Sequence, residues 1–415
     1  MKHDIKKLPK AQIEVSVTLD DKEFAGYYEA AETKAAGEVT IKGFRKGAAP
    51  KEMVAAALDH DAIFHSAINE AVRWSLNEIK IENNWTFIDQ PKIEITEGEP
   101  GKGITYKASL TIFPEIKLGD ISKIAKKVFA DKKPVEVTEE EVTKTLEWIR
   151  GSRAAETRVV REAKLGDLVE ADIDTECEEK PVKGASLQND RFILGESNFI
   201  VGFDKHLEGK KENEVIKFSI VAPKDYWQKE LQGKQLDFTV TLRGVFERKL
   251  PDLTDEFAAG LGGKFKTVED LKNSIKEGMK MEKQEKELEK LRIKVLEEIS
   301  KDSKMDIPDI MVERTLDDMM DQYGQYLKGE ATDTKQEEFR SEMRNKLRER
   351  AVSNVSNNLV MYKIAQEQNL VPTAEEIEAE AAHHNVDAEK QHEQLYAMLQ
   401  NKKVFEYLES FAVKA

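Results

Sequence analysis

Gly43-Phe44-Arg45-Lys46-Gly47-Ala48-Ala49-Pro50 stands between a β-branched run, Val39-Thr40-Ile41, and a stretch that reads as helix. The two glycines permit dihedrals closed to other residues. Pro50 fixes φ where a first helical turn begins, so a helix is expected from there to residue 58. A plain strand-to-helix turn accounts for the glycines and the proline. It does not account for one aromatic and two cations held between the glycines at a tip. Cations meet phosphate or carboxylate, and a ring stacks or packs, so the string suits docking on a surface of RNA and protein.

On either side of this string the hydrophobic period alternates between two and about 3.6. Residues 11–18 place Ile13, Val15 and Val17 at alternate positions, the pattern of a half-buried strand. A helix is expected over 22–36. A second covers 62–81, with Ile63, Ala67, Ile68, Ala71, Trp74 and Ile79 as its buried stripe. Strands near 91–96 and 104–113 complete an α+β domain. Thr138-Glu139-Glu140-Glu141 has the form of a capping box and opens a helix carrying Val142, Leu146 and Ile149. The lysine-rich run 123–133 reads as a solvated arm. Alternation returns at Val169-Glu170-Ala171-Asp172-Ile173 and at Phe238-Thr239-Val240-Thr241-Leu242, so 166–248 is strand-rich. Beyond Pro251 nearly everything is helical, with starts at Thr254, Thr267, behind Pro308 and at Thr373, and one long helix over 335–368.

Composition restricts the function. The 415 residues are too many for one ordinary core. A net charge of −15 argues against a general nucleic-acid binder, DNA included, though it leaves room for one small basic contact. No apolar run approaches the length of a membrane span, and no signal peptide is visible after Met1. With a single cysteine, Cys177, no internal disulfide can form, and a reducing cytoplasmic setting is expected.

The string 43–50 resembles the ribosome-binding signature of bacterial trigger factors, G-F-R-x-G-x-x-P, at every fixed position. The resemblance implies that Gly43, Phe44, Arg45, Lys46, Gly47 and Pro50 form a docking element beside the nascent-chain exit tunnel. Phe192-Ile193-Leu194-Gly195-Glu196-Ser197-Asn198-Phe199-Ile200-Val201-Gly202-Phe203 is similar to the F-x-L-G-x-G-x-F-I-P-G-F run of that family's FKBP-like domain. Pro223-Lys224-Asp225-Tyr226 and Leu231-Gln232-Gly233-Lys234 follow in the family's order. The resemblance thus implies a multidomain α+β chain in four parts: a ribosome-binding α+β domain (1–115), a connecting arm (116–160), a β-rich FKBP-like domain (161–248) and an all-helical substrate-binding body (249–415).

Prolyl isomerisation needs no nucleophile. The barrier is amide resonance, and a site must favour the twisted, non-resonant state over the planar one. By resemblance, Phe203 floors a prolyl pocket, Phe199 and Phe238 line it, and the Ile200 N–H and Tyr226 hydroxyl grip substrate carbonyls. The sequence departs from the family pattern at five positions. Ile173 and Val182 stand where it has aromatics, Thr175 and Ser197 where it has glycine, and Val201 where it has proline. Fewer aromatic walls imply weakened activity.

The family's helical arms cradle unfolded chains. Methionine is flexible and polarizable, so Met311, Met319, Met320, Met343 and Met361 are expected to contribute substrate contacts. No metal and no cofactor are expected. His60 and His65 are wrongly spaced, and His383-His384 with His392 lacks a cysteine or carboxylate pattern. The implied function is a chaperone on the large ribosomal subunit that holds nascent chains in an open state, with an attached isomerase. Its partners are exit-tunnel protein and rRNA, unfolded nascent polypeptides and, off the ribosome, a second copy in a homodimer. A free-standing prolyl isomerase, or an assembly chaperone not tied to the ribosome, is the alternative.

Overall fold

The computed structural model describes residues 1–41, Phe44, 50–99, 102–182, 184–262, 265–324 and 333–413. The chain divides into two compact units, Pro134–Lys286 and a second made of Met1–Lys133 with Glu287–Ala415. Among the described residues no helix is long and apolar enough to cross a membrane.

At the N-terminus, β1 (Lys2–Leu8), β2 (Gln12–Leu19), β3 (Lys92–Gly98) and β4 (Ile104–Thr111) form an antiparallel sheet in the order β1-β2-β4-β3. The alternation expected in β2 is realised, with Ile13, Val15, Val17 and Leu19 all facing the core. Helices α1 (Asp21–Glu38) and α3 (His60–Glu82) cover that face. Asp20 caps α1 in a full capping box with Glu23. Short α2 (Lys51–Ala56) buries nothing and starts behind Pro50, which occupies the cap position.

Three details of this domain differ from expectation. Strand β1 was not visible, because pairing to β2 along its whole length fixes it while its side chains stay exposed or half-buried, with Ile5 packing on the core. Val39-Thr40-Ile41 is no strand: Val39 closes α1 by donating to the Ala35 carbonyl. Trp74 is 54% exposed, since the buried stripe of α3 shifts to Val72, Ser75 and Leu76.

The same unit continues through β5 (Ile116–Lys117) and α4 (Ile121–Ala130). The run 123–133 is not a free solvated arm. Its lysines face outward while Ala125, Val128 and Phe129 enter a helical core, as a strongly one-sided helix must.

In the other unit, α5 (Glu139–Gly151) begins with the capping box expected at Thr138 and Glu141. Strands β6 (Ala155–Arg158), β7 (Leu168–Cys177), β8 (Lys180–Pro181), β9 (Leu187–Ile193), β10 (Val215–Val221) and β11 (Gln235–Lys249) form one antiparallel sheet. The long strand β11 pairs with β10, β7 and β6. A five-residue helix, α6 (Phe203–Leu207), packs on the sheet through Phe203 and Leu207. Then come α7 (Asp255–Gly260), capped by Thr254, and the first half of α8 (Val268–Asp302). Leu146, Ala258 and Leu271 join α5, α7 and α8 in a small core of their own.

The second half of α8 belongs to the helical body, with β12 (Lys304–Met305), α9 (Asp309–Gly324), α10 (Asp333–Glu367), α11 (Ala374–His384) and α12 (His392–Val413). Strand β12 pairs with β5. Leu291, Val295, Ile299, Val360, Ile364, Val404 and Leu408 build one core with α4, and Val312, Leu316, Leu347, Ala351 and Val355 build another. The N-terminal domain is tied to this body by Lys10 to Asp309 and by Arg314 donating to the Ile88 carbonyl.

Candidate functional site

Over one face of β7, β9 and β11 in the Pro134–Lys286 unit lies a cavity of about 250 Å³. Ile173, Leu187, Leu236 and Phe238 form its sheet side, and Phe199, Ile200, Leu231 and Tyr226 its other walls. These residues are separated by up to 65 positions in sequence. They meet because β7 and β11 are neighbours, placing Val240 opposite Ile173 and Phe238 opposite Thr175.

The loop before α6 is built from its own hydrogen bonds. Asp204 accepts from Gly195 N–H at 2.8 Å and from the Ser197 hydroxyl at 2.5 Å. Gly195 and Gly202 hold φ of +95° and +99°, a region that leaves glycine as the ready choice. Thus Ser197, at a family glycine, becomes a strut for the loop. Val201, at the family proline, is 94% exposed and absent from the cavity wall, so that departure does not narrow or roughen the pocket.

Phe203 takes a different place from the expected floor. It is fully buried and is not part of the cavity lining. The Phe199 ring stacks over it at 4.4 Å, and Phe238 and Phe218 meet it edge-on at 5.3 Å each. Phe199 lines the cavity, and Phe203 is the support behind it.

The departures Ile173, Val182 and Thr175 do lie in the wall. Thr175 contributes more than bulk. Its hydroxyl donates to the Ala185 carbonyl at 3.2 Å, while its own carbonyl accepts from Val182 N–H at 2.9 Å. The loop carrying Val182 and Ala185 is thereby fixed against β7.

Two donors remain free at the mouth. Among the described residues, neither the Ile200 N–H nor the Tyr226 hydroxyl has a hydrogen-bond partner. The Tyr226 backbone, in contrast, is held at both ends: its N–H donates to Pro223 and its carbonyl accepts from Gln232. Trp227, 75% exposed, also lines the cavity and was missed in the sequence. Its only signal there was an aromatic following the tyrosine. Among the described residues, the cavity wall has no cluster of His, Cys, Asp or Glu placed for a metal ion.

Beneath the cavity the sheet carries charge. Asp167 is buried. Burial would raise its pKa, but bonds from both Arg161 guanidinium nitrogens and from Lys164 N–H outweigh that and hold it below the usual carboxylate range. The Asn189 N–H and the Arg243 guanidinium hold Asp172 down as well.

At the other candidate site, Phe44 is 41% exposed, with its N–H on the Ile41 carbonyl, and Pro50 is exposed. Gly43, Arg45, Lys46 and Gly47 lie outside the described residues. The methionines are placed differently from expectation. Met361 is buried in the helical core, and Met311, Met319, Met320 and Met343 are half-buried against the α9–α10 core. Packing of α9 against α10 takes up part of the surface that helical spacing alone left open.

Three stretches of the chain match family profiles. Residues 1–149 match "Bacterial trigger factor protein (TF)", 160–243 "FKBP-type peptidyl-prolyl cis-trans isomerase", and 267–415 "Bacterial trigger factor protein (TF) C-terminus". The chain is 32% identical over 380 residues to the trigger factor of Carboxydothermus hydrogenoformans, covering 90% of this chain and 88% of that one. It is 31% identical over 382 residues to the trigger factor of Caldicellulosiruptor saccharolyticus, covering 89% and 84%. Among solved structures, one described as "Promiscuous Substrate Recognition in Folding and Assembly Activities of the Trigger Factor Chaperone" shares the fold, with a TM-score of 0.51 and 22% identity. It spans 98% of this chain and 100% of its own.

Proposed function

Since the chain belongs to the bacterial trigger factor family, a ribosome-associated chaperone with an FKBP-type isomerase domain, we propose that it docks through Phe44, Arg45 and Lys46 and isomerises X–Pro bonds in the cavity behind Phe199. The docking element comprises Gly43 to Gly47 with Pro50, the ring packing and the two cations meeting rRNA phosphate or acidic protein groups beside the exit tunnel. In this reading docking falls to 1–115, connection to 116–160 (of which α4 also packs in the helical core), isomerisation to 161–248 and substrate holding to 249–415.

The observation that carries the isomerase reading is an apolar cavity with two unpaired donors at its rim. A prolyl ring fills the cavity against Phe199, Phe238 and Ile173. Apolar walls strip water from the planar, charge-separated amide and so favour its twisted form. The Ile200 N–H and the Tyr226 O–H each donate to a substrate carbonyl flanking the ring. The domain thus binds and twists, and forms no covalent bond. Ile173 and Val182 in place of aromatics make the grip on the ring looser, so turnover is slower than in a fully aromatic pocket. Holding is shared by weak apolar contacts along the helical body, among them the half-buried Met311, Met319, Met320 and Met343.

Two measurements on the full-length protein test this reading. Co-sedimentation with vacant ribosomes should show salt-sensitive binding that disappears in a Phe44→Ala, Arg45→Ala, Lys46→Ala variant. Binding that survives the triple change would remove the docking role. Isomerisation of a proline peptide should fall about 2- to 10-fold in Tyr226→Phe, the worth of one neutral hydrogen bond. An unchanged rate would place the chemistry elsewhere.

A further inference from the structure

The last turn of α11 brings together Glu380, His383 and His384. Among the described residues it is the one place where three potential metal-ligating side chains converge, their ligand atoms all within 4.8 Å of one another. Helical geometry explains the convergence, because offsets of three and four positions return to the same face. His384 Nε2 is 3.2 Å from Glu380 Oε1, and the two imidazole rings meet edge to face at 4.9 Å.

The support beneath these side chains is firm. Asn385 ends the helix in the left-handed conformation, at φ 54°, and its N–H and that of Val386 return to the Ala381 and Ala382 carbonyls. Ile377 and Ala381 are buried against Leu395 and Leu399 of α12, and Lys403 pairs with Glu376 one turn earlier. The tips of both histidines stay exposed, so water can complete a coordination shell.

We propose that this turn binds one divalent first-row transition-metal ion, with an imidazole nitrogen from each histidine and an oxygen of Glu380. Bonds of about 2.0–2.2 Å need the donor atoms somewhat closer than they now stand, and rotation of exposed side chains supplies that movement. Two nitrogens with one oxygen suit zinc, nickel or copper, whereas magnesium and calcium require oxygen ligands. The carboxylate offsets part of the ion's charge, and the C-terminal end of a helix favours a cation. The histidine pair alone gave no such reading from the sequence, because Glu380 becomes its partner only once α11 is known to run unbroken to His384.

Zinc titrated calorimetrically into chelator-treated full-length protein should bind at one ion per chain, and calcium should not bind. His383→Ala and Glu380→Gln should each weaken zinc by at least the 10- to 100-fold typical of lost outer-shell partners. His392→Ala, just beyond the cluster, should leave it unchanged. Circular dichroism checks that the variants keep their helix content. Absence of zinc binding by the wild type overturns the proposal. So does binding that persists undiminished in a His383→Ala, His384→Ala double variant, which would assign the ion to other histidines.

Discussion

The N-terminal domain and the FKBP-like domain are both α+β, yet they treat their interiors in opposite ways. In the first, Val15, Val17, Tyr106 and Ala108 are wholly enclosed by α1 and α3, and the proposed docking residue Phe44 lies outside that core, 41% exposed. In the second, a cavity opens between one face of the sheet and the loops that carry Val182, Phe199 and Tyr226, so part of the core surface is left accessible. A closed core tolerates change at its exposed tip. An open one links stability to activity, because the same aromatic rings serve both.

Their buried polar groups differ too. The N-terminal core keeps a neutral pair, with the Tyr106 hydroxyl 2.6 Å from Ser75 Oγ. Burial pushes Tyr106 up to about 12, against the opposing effect of Ser75. The FKBP-like sheet instead keeps carboxylates charged beside arginines, at Asp167 and Asp172.

The sharpest way to break the comparison is Phe203→Ala. It removes a ring packed against four others and should cost the FKBP-like domain about 3–5 kcal/mol, abolishing isomerisation while ribosome binding persists. Urea unfolding and the two functional assays read this directly, and loss of both functions together would mean the domains are not separable. Ser75→Ala should cost the N-terminal domain about 1–3 kcal/mol by stranding the Tyr106 hydroxyl, with turnover untouched. Trp227→Ala should lower kcat/KM about fivefold, near 1 kcal/mol, with little effect on the urea midpoint, because the indole is mostly in solvent.

The two domains should also fail at opposite ends of the pH scale. Tyr106 has a raised pKa when folded. Its contribution is therefore complete below the unfolded value, near 10, and is lost as pH climbs toward about 12. Asp167 and Asp172 have depressed values. Their contribution is present above the unfolded value, near 4, and is lost as pH falls through the folded ones. Fluorescence follows each domain separately: Trp74 and Trp85 report on the first once Trp148 and Trp227 are replaced by Phe, and the converse pair reports on the second. Similar acid and alkaline limits for both domains would contradict this assignment. Smallest of all should be the stability effect of Phe44→Ala, within about 0.5 kcal/mol by thermal unfolding, even as ribosome binding weakens.

Much of the fold was legible because local rules and burial agree. The capping box at Thr138, the helix start at Thr373, the alternation of β2, β7 and β11, and the long α10 all appear where cap residues and side-chain period placed them. Strand β1 was hidden because it is held mainly by backbone pairing to β2, with Ile5 its contact to the core. Trp74 was misplaced because a small error in helical phase moves a residue from core to solvent.

By itself the sequence determined the family and the residues from which the proposed docking string and cavity are drawn, since these depend on side-chain identity at fixed spacing. Only the tertiary structure decided that Phe199 lines the cavity while Phe203 is buried behind it, that Val201 stands clear of the cavity while Thr175 braces its wall, and that Met361 is core while Met311, Met319, Met320 and Met343 are half-buried. Each of these turns on which neighbour covers a side chain, and strands and helices distant in sequence supply that neighbour.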